Sequence, residues 1–356
     1  FEYVDGYLFV DDEETDDILD REFESCLRNG LTDIQSVTSV PIEELKVTSA
    51  LLFPKQAQFH PLNYLKRLTE IIQAGGVQIF THTMVSEVHG GDRAFVKTRS
   101  GFKVQCQSVV VATHSPVNDL LAIHTKQYAY RTYVICLRIP DGKSKKALCW
   151  DVKDPYHYLR FGRDEKGEFL IVGGEDHKTG QEIHPEQCYF ELEAWARHKV
   201  PYAQEILHRW SGQIMESMDG IGFLGHNPAD RNNVYVLTGD SGNGLTHATL
   251  GAMVITDQII GRENVWAEFY NPSRISWWAL PTYIQENSNV AAQYVDWLTP
   301  KSAADLDDIA DGEGDVYRDG AQMVAAYKDE VGNTYLFSAA CPHLGGIVSW
   351  NSTEKS

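Results

Sequence analysis

Apolar positions recur at helical spacing from Pro61 to Ala74, where Leu62, Leu65, Leu68, Ile71 and Ile72 share a face and Gly75-Gly76 supplies the stop. Val77 to Phe80 then reads as a strand, and Ala94 to Thr98 with Phe102 to Cys106 reads as a hairpin excursion. Ser108 to Thr113 (SVVVAT) is an unbroken apolar run. It lacks the alternation of a half-wet strand, so it predicts a parallel strand covered on both faces. This half is α/β. Ahead of it, Asp11 to Glu24 is acidic and helix-compatible, with Ile18, Leu19 and Phe23 as its apolar contacts, which reads as a solvated helix face.

Beyond Pro116 the runs become longer and β-prone: Tyr128 to Ile139, Tyr156 to Phe161 and Phe169 to Val172, punctuated by Gly, Pro and Asp. They predict an antiparallel sheet, interrupted by an amphipathic helix from about Pro185 to Val200 before Leu207 to Ile214 returns to strand. Val234 to Leu237 is a further short apolar strand. It leads through Thr238-Gly239-Asp240-Ser241-Gly242-Asn243-Gly244 into a helix from about Thr246 to Ile260, ended by Gly261. Past Trp277-Trp278 and a helical segment ending near Trp297, Pro300 to Asp315 is acidic and turn-prone, the character of a linker. Two short alternating strands follow, Gln322 to Tyr327 and Thr334 to Ser338, and then Cys341-Pro342-His343-Leu344-Gly345-Gly346.

The strand, glycine loop and helix at 234–260 form the unit with most chemical content. First-turn amides of a helix have no partner within it, and the helix dipole adds partial positive charge there, so polar, electron-rich ligands are held at such ends. Gly239, Gly242 and Gly244 let backbone approach a flat ring, while Asn243 or Thr246 can cap. Ala248, Gly251 and Ala252 permit close packing on a sheet. On spacing alone a tight turn before a core helix explains the glycines equally well, and the dinucleotide fingerprint G-x-G-x-x-G is absent from these residues.

Composition narrows the classes. At 356 residues and 43% hydrophobic content the chain can bury more than one core. Its formal net charge of -19 repels phosphate backbones and anionic lipid heads, so nucleic-acid binding is not expected. No run approaches the ~20 apolar residues of a membrane span, and no basic-then-apolar signal segment opens the sequence. Six cysteines are too sparse for a disulfide framework, which favours a reducing, cytoplasmic setting. The first residue is Phe1, so the expected start lies upstream.

The order of landmarks resembles the D-amino-acid-oxidase superfamily of FAD-dependent amine and amino-acid oxidoreductases. Those landmarks are His60-Pro61 entering a glycine-ended helix, Thr83-Met84-Val85, the buried strand ending Ala112-Thr113, Arg209-Trp210-Ser211-Gly212, and the strand into Gly239–Gly244. The resemblance spans about Phe1 to Arg274. It implies a partial Rossmann-like, three-layer FAD-binding domain at 1–126 and 226–275, and an antiparallel-sheet substrate domain at 127–225. It also implies that Val85 lies at the adenine and that Ala112 and Thr113 lie near the diphosphate and ribityl chain. Gly239, Gly242, Asn243, Gly244, Leu245 and Thr246 would hold the pyrimidine edge of the flavin. The family's first strand, glycine-rich loop and acidic ribose ligand are expected ahead of Phe1, and without them the residues given are expected to bind FAD poorly or not at all.

After a connecting helix and linker at 276–312, residues 313–356 resemble the start of a small all-β Rieske domain. Such domains hold a 2Fe-2S cluster on a C-x-H element and a later C-x-x-H element. Cys341 and His343 match the first element as metal ligands, Gly345-Gly346 would keep the loop tight, and Trp350-Asn351 follows as in flavin-Rieske fusions. No Cys follows 341 and no His follows 343 within these residues, so the second ligand pair is not among them. Where the family often carries a second Cys this chain has Gly346, so no bracing disulfide is expected.

On the substrate side, Arg131, Tyr133, His157, Tyr158, Arg160, Glu175, Asp176, His177, Trp210 and Gln213 give the sheet more polar and aromatic groups than a plain core requires. A carboxylate-bearing substrate needs an arginine, for which Arg131 and Arg160 are the candidates. His247, beside the loop, is placed to tune the flavin ring or is a first-turn helix residue without a role. The resemblance implies oxidation of an amine or amino acid, with hydride passing to FAD and electrons onward to the cluster and a further acceptor. Two other readings compete. One is a scaffold or electron-relay module that has lost its cofactor sites; the other, a Rieske oxygenase, needs two His and a carboxylate on a mononuclear iron, and no such cluster stands out among thirteen His.

Overall fold

The computed structural model describes residues 1–11, 16–118, 123–180, 185–228, 230–231, 233–284, 306–320, 322–340, 347–352 and 355. In chain order its elements begin with β1 (Glu2–Val10), α1 (Asp16–Arg28), β2 (Gln35–Val37), β3 (Ser49–Gln58), α2 (Pro61–Ala74), β4 (Val85–His89), β5 (Phe95–Thr98), β6 (Lys103–Gln105) and β7 (Val109–Val111). They continue with β8 (Gln127–Arg138), β9 (Ala147–Asp151), β10 (His157–Asp164), β11 (Gly167–Lys178), α3 (Pro185–Lys199), β12 (Ile206–Ser217), β13 (Phe223–His226), β14 (Val234–Thr238) and α4 (Gly244–Ile259). A last group is β15 (Gly314–Asp319), β16 (Gln322–Lys328) and β17 (Thr334–Ser338). Two compact units result: Phe1–Ile79 with Arg131–Gln213, and Phe80–Tyr130 with Ile214–Ser356.

The first unit is organised on a sheet ordered β12-β8-β11-β10-β9-β1-β3-β2. β9, β10 and β11 are antiparallel neighbours, as the alternating runs predict, but β1 enters beside β9 in parallel, so the sheet is mixed. Alternation in β10 sends His157, Leu159 and Phe161 into the core and leaves Tyr158 and Arg160 half-buried on the other face. α3 covers the core face with Cys188, Tyr189, Leu192 and Ala196, a spacing that lines one helix side. Full burial of a side chain the size of Leu192 contributes roughly 1.5–3 kcal/mol.

The other face owes its shape to glycine. The Tyr158 ring lies across Gly173, where a Cβ would stand 2.2 Å from Cζ, and the Trp150 ring lies across Gly6, where a Cβ would stand only 3.0 Å from it. α2 spans Pro61–Ala74 and turns out at Gly75, as the spacing predicts, and it gains a cap at its start, where His60 Nδ1 accepts from the Asn63 amide at 3.4 Å. Val77 to Phe80, expected as a strand, are irregular, and Phe80 is 68% exposed. A strand exists only through its ladder, and among the described residues these four have no neighbouring strand to pair with.

In the second unit β7 pairs with β14 in parallel and β13 closes the other side of β14. Val109, Val111, Val234 and Val236 form its small core. The prediction that Ser108 to Thr113 is covered on both faces fails at Val110, which is 46% exposed. α4 lies close on this sheet because Gly251 has no side chain: a Cβ there would meet Leu237 Cδ1 at 2.5 Å. The hairpin at 94–106 gains a third strand, β4, and β15, β16 and β17 form a separate antiparallel sheet. Most of the helical segment expected toward Trp297 and the first half of the linker lie outside the described residues. Among the described residues no helix is long and apolar enough to cross a membrane.

Leu192→Ala removes the fully buried leucine of α3. Urea unfolding is expected to report a loss of about 2–5 kcal/mol with an unchanged m-value.

Candidate functional site

Because β7 and β14 run parallel, their C-terminal ends open on the same sheet edge, the usual ligand side of such sheets. Ala112 and Thr113 leave one end and Gly239 leaves the other. Thr238, only 1% exposed, ties the two together: its hydroxyl donates to the His114 carbonyl and lies 3.0 Å from the Gln127 side-chain oxygen. A hydroxyl carries one proton, so both acceptors compete for it and are drawn to the same point.

The loop after Thr238 winds through Gly239 (φ 68°), Ser241 (φ 49°) and Gly242 (φ 76°), all left-handed. Ser241 N–H donates to Met215 O at 3.1 Å, and Asn243 N–H donates to Asp240 O at 2.9 Å. Asn243 occupies the cap position of α4 without capping it; its amide nitrogen donates to Ser241 O at 3.1 Å instead. Thr246 makes no cap bond either. The first helical bond runs from His247 N–H to Asn243 O, and among the described residues nothing accepts from the amides of Gly244, Leu245 and Thr246. A Cβ on Gly242 would meet nothing within 4 Å, so the space beside the loop is open. Bare amides at a positive helix end suit the acceptor-rich pyrimidine edge of a flavin.

Other residues singled out from the sequence spread around this edge or away from it. Val85 opens β4, and Thr113 Oγ1 turns back to Ser115 O at 2.8 Å. His247 packs on Gly222 and edge-on to Tyr270, with Nδ1 buried and unpartnered among the described residues. Sequence reasoning missed Gln127 and Thr238. Thr238 left a signal, a hydroxyl at the last position of an apolar strand before a glycine; Gln127 reaches it only through tertiary pairing. Cys341 and His343 lie outside the described residues, and among the described residues no group of three His, Cys, Asp or Glu could hold a metal.

In the first unit, antiparallel pairing of β9, β10 and β11 gathers a buried charged cluster. His157 Nδ1 stands 3.0 Å from Asp151 Oδ2, and Nε2 stands 2.9 Å from Glu175 Oε1. The ring stacks on Trp195 at 4.5 Å and 9°. Burial works against the charged ring, but hydrogen bonds and charge from Asp151 and Glu175 prevail and raise its pKa to about 9. Glu175 is held left-handed at φ 57°, a conformation the ion pair helps to maintain. The two candidate arginines differ. Arg131 donates to Ser211 Oγ at 2.8 Å. Arg160 is half-buried and reaches only the Phe59 carbonyl at 3.5 Å, with no carboxylate partner among the described residues, and burial lowers its pKa.

Comparison with known proteins bears on both units. Residues 2–258 match the family described as FAD dependent oxidoreductase. The chain is 28% identical over 355 residues to the Bacillus subtilis (strain 168) protein YhfW, whose name describes a Rieske 2Fe-2S iron-sulfur protein; the match covers 99% of this chain and 69% of that one. Among solved structures, glycine oxidase from Geobacillus kaustophilus superposes with a TM-score of 0.65 at 18% identity, covering 77% of this chain and 75% of that one. L-proline dehydrogenase from P. horikoshii gives 0.63 at 20% identity, covering 77% of each chain. These likenesses show the shared α/β fold.

Two outcomes follow from this geometry. His157 gains charge partners on folding, so its contribution is full below the ordinary value of 6.5 and is lost as pH rises through about 9. His157→Phe is expected to lose on the order of 3 kcal/mol near neutrality and to flatten the urea midpoint across that window. Gly242→Val strains a left-handed position by roughly 1–2 kcal/mol. It is expected to weaken flavin binding by about tenfold in fluorescence titration, with a small change in Tm.

Proposed function

The chain belongs to the FAD-dependent oxidoreductase family, and on that premise we propose that it is an amine or amino-acid dehydrogenase that hands electrons to a Rieske-type 2Fe-2S centre. The observation that carries the flavin part is the uncapped start of α4, where the amides of Gly244, Leu245 and Thr246 have no acceptor among the described residues and the space beside Gly242 is open. They would hold the pyrimidine edge, with Gly239 and Gly242 keeping side chains out of the way and Asn243 at the turn. Val85 would lie at the adenine, and Ala112 and Thr113 along the diphosphate and ribityl chain. When bound, FAD supplies a two-electron acceptor for hydride from the carbon bearing the amine.

The protein's own part is to bind, orient and exclude water. Arg160 has the character of a substrate anchor, since a half-buried guanidinium without a carboxylate is left open to an incoming one. Arg131, already engaged by Ser211, is the second candidate. His247 would contribute through its unpartnered Nδ1. The electron acceptor rests on two supports: the name of the Bacillus relative, and Cys341-Pro342-His343 as a C-x-H element. These residues supply two of four cluster ligands, so no step through a cluster is derived for them. The sparse cysteines support a reducing, cytoplasmic setting for this activity.

The decisive experiment is anaerobic: the purified protein with FAD, mixed with a panel of amines and amino acids, should lose its yellow absorbance with at least one of them. Flavin that stays oxidised across the panel overturns the reading. With a carboxylate-bearing substrate, Arg160→Met is expected to raise KM by about 10–100-fold, the loss of one charged hydrogen bond, while kcat changes less. The same panel measured on Arg131→Met separates the two arginines.

A further inference from the structure

The sheet of the first unit carries apolar side chains on both faces. Alternation sends Ala147, Cys149, Leu159, Leu170 and Val172 into the core that α3 covers. Leu148, Trp150, Tyr158, Arg160 and Ile171 therefore point the other way, and all five are half-buried. Register sets their neighbours: Tyr158 pairs with Trp150 on one side and Gly173 on the other, while Arg160 pairs with Leu148 and Ile171. The guanidinium thus stands among aliphatic and aromatic groups, with no carboxylate partner among the described residues.

Strand side chains ordinarily stand out from a sheet. Here two rings lie down along it, because Gly173 and Gly6 leave them room: a Cβ on Gly173 would stand 2.2 Å from Tyr158 Cζ, and one on Gly6 would stand 3.0 Å from the Trp150 ring. Phe53 continues the aromatic surface, its ring centred 5.6 Å from that of Trp150 at 34°. Burial and the Asp176 carboxylate push the Tyr158 hydroxyl up to about 12 against the pull of Arg160, so this ring stays neutral.

We propose that Trp150 and Tyr158 are specificity-determining residues, forming with Arg160 a subsite for a carboxylate that bears a flat aromatic side chain. This deepens the substrate reading above and rests on it, naming the substrate class as aromatic amino acids. The reach is right: Tyr158 and Arg160 share a face two residues apart, which along a strand spans roughly 7 Å, comparable to the separation of carboxylate and ring in such a molecule. The guanidinium takes the carboxylate through paired hydrogen bonds. The rings take the side chain, since offset aromatic faces attract beyond the area that they bury. A small side chain would leave those faces without a partner.

Titration calorimetry on the full chain, with and without FAD, tests this with phenylacetate, cyclohexylacetate and acetate. Phenylacetate is expected to bind at least about tenfold more tightly than acetate and about threefold more tightly than cyclohexylacetate, which matches its bulk without a flat face. Trp150→Leu and Tyr158→Leu should each weaken phenylacetate by about three- to tenfold, whereas Trp150→Phe and Tyr158→Phe, which retain a ring, should keep most of its affinity. Arg160→Met should weaken it by about 10–100-fold. The comparison of the three acids on the wild type needs no variant to fold. Equal binding of phenylacetate and cyclohexylacetate, or phenylacetate binding unchanged in Arg160→Met, overturns the proposal and leaves the flavin reading intact. Flavin bleached faster by glycine than by phenylalanine or tryptophan overturns it as well. Flavin that stays oxidised with all of them overturns the dehydrogenase reading, while selective phenylacetate binding still supports the subsite.

Discussion

The parallel pairing of β7 with β14 is the constraint on which the second unit depends. Antiparallel pairing would send the two strand ends to opposite edges, and Ala112, Thr113 and Gly239 could not emerge together. Thr238 converts that shared edge into a fixed point, since its buried hydroxyl must satisfy the turn after β7 and the start of β8 with a single proton. Everything that follows in sequence is then aimed. The left-handed Gly239, Ser241 and Gly242 turn the chain sharply into α4, whose first amides have no acceptor among the described residues. Gly251 lets the same helix lie close enough to the sheet for that aim to be rigid.

The first unit solves a different problem, the burial of charge beside an apolar core. One face of its sheet packs Leu159, Phe161, Leu170 and Val172 against α3. Asp151, His157 and Glu175 sit within the same sheet, and a buried charge is tolerable only when paired on every side. The imidazole is flanked by a carboxylate at each nitrogen and by the Trp195 ring on its face, which leaves it no exposed polar atom to satisfy. Arg160 departs from that rule, having no carboxylate partner among the described residues, and that departure is the ground on which it is proposed as a substrate anchor.

Sequence patterning was most legible where local signals decide the outcome. α2 announced itself through His60, Pro61 and Gly75, and α3 through its repeat, because caps and amphipathic faces are written in neighbouring residues. The glycine loop and α4 were legible for the same reason. Legibility failed where pairing is long-range. β1, β3 and the parallel β1–β9 contact join segments far apart in sequence, and nothing local in Glu2–Val10 says that it will lie inside a large sheet. Val77 to Phe80 failed in the opposite sense, having strand composition without a strand to pair with. At the site, His157 and Glu175 were visible as polar residues in a sheet, but Asp151 entered the cluster only through the register of β9 against β10. Asn243 looked like a cap by residue type, yet the left-handed turn before it redirected its side chain to Ser241 O.

The rings laid over glycines in the first unit also carry spectroscopic information. The α-protons of Gly173 sit beneath the Tyr158 ring, and the backbone of Gly6 sits beneath Trp150, so both lie in the shielding cone of an aromatic current. Their resonances therefore move upfield of ordinary glycines and respond to ring orientation. Since Tyr158 shares a strand face with Arg160, the proposed anchor, an anion bound there would register in the Gly173 signal without any label being introduced.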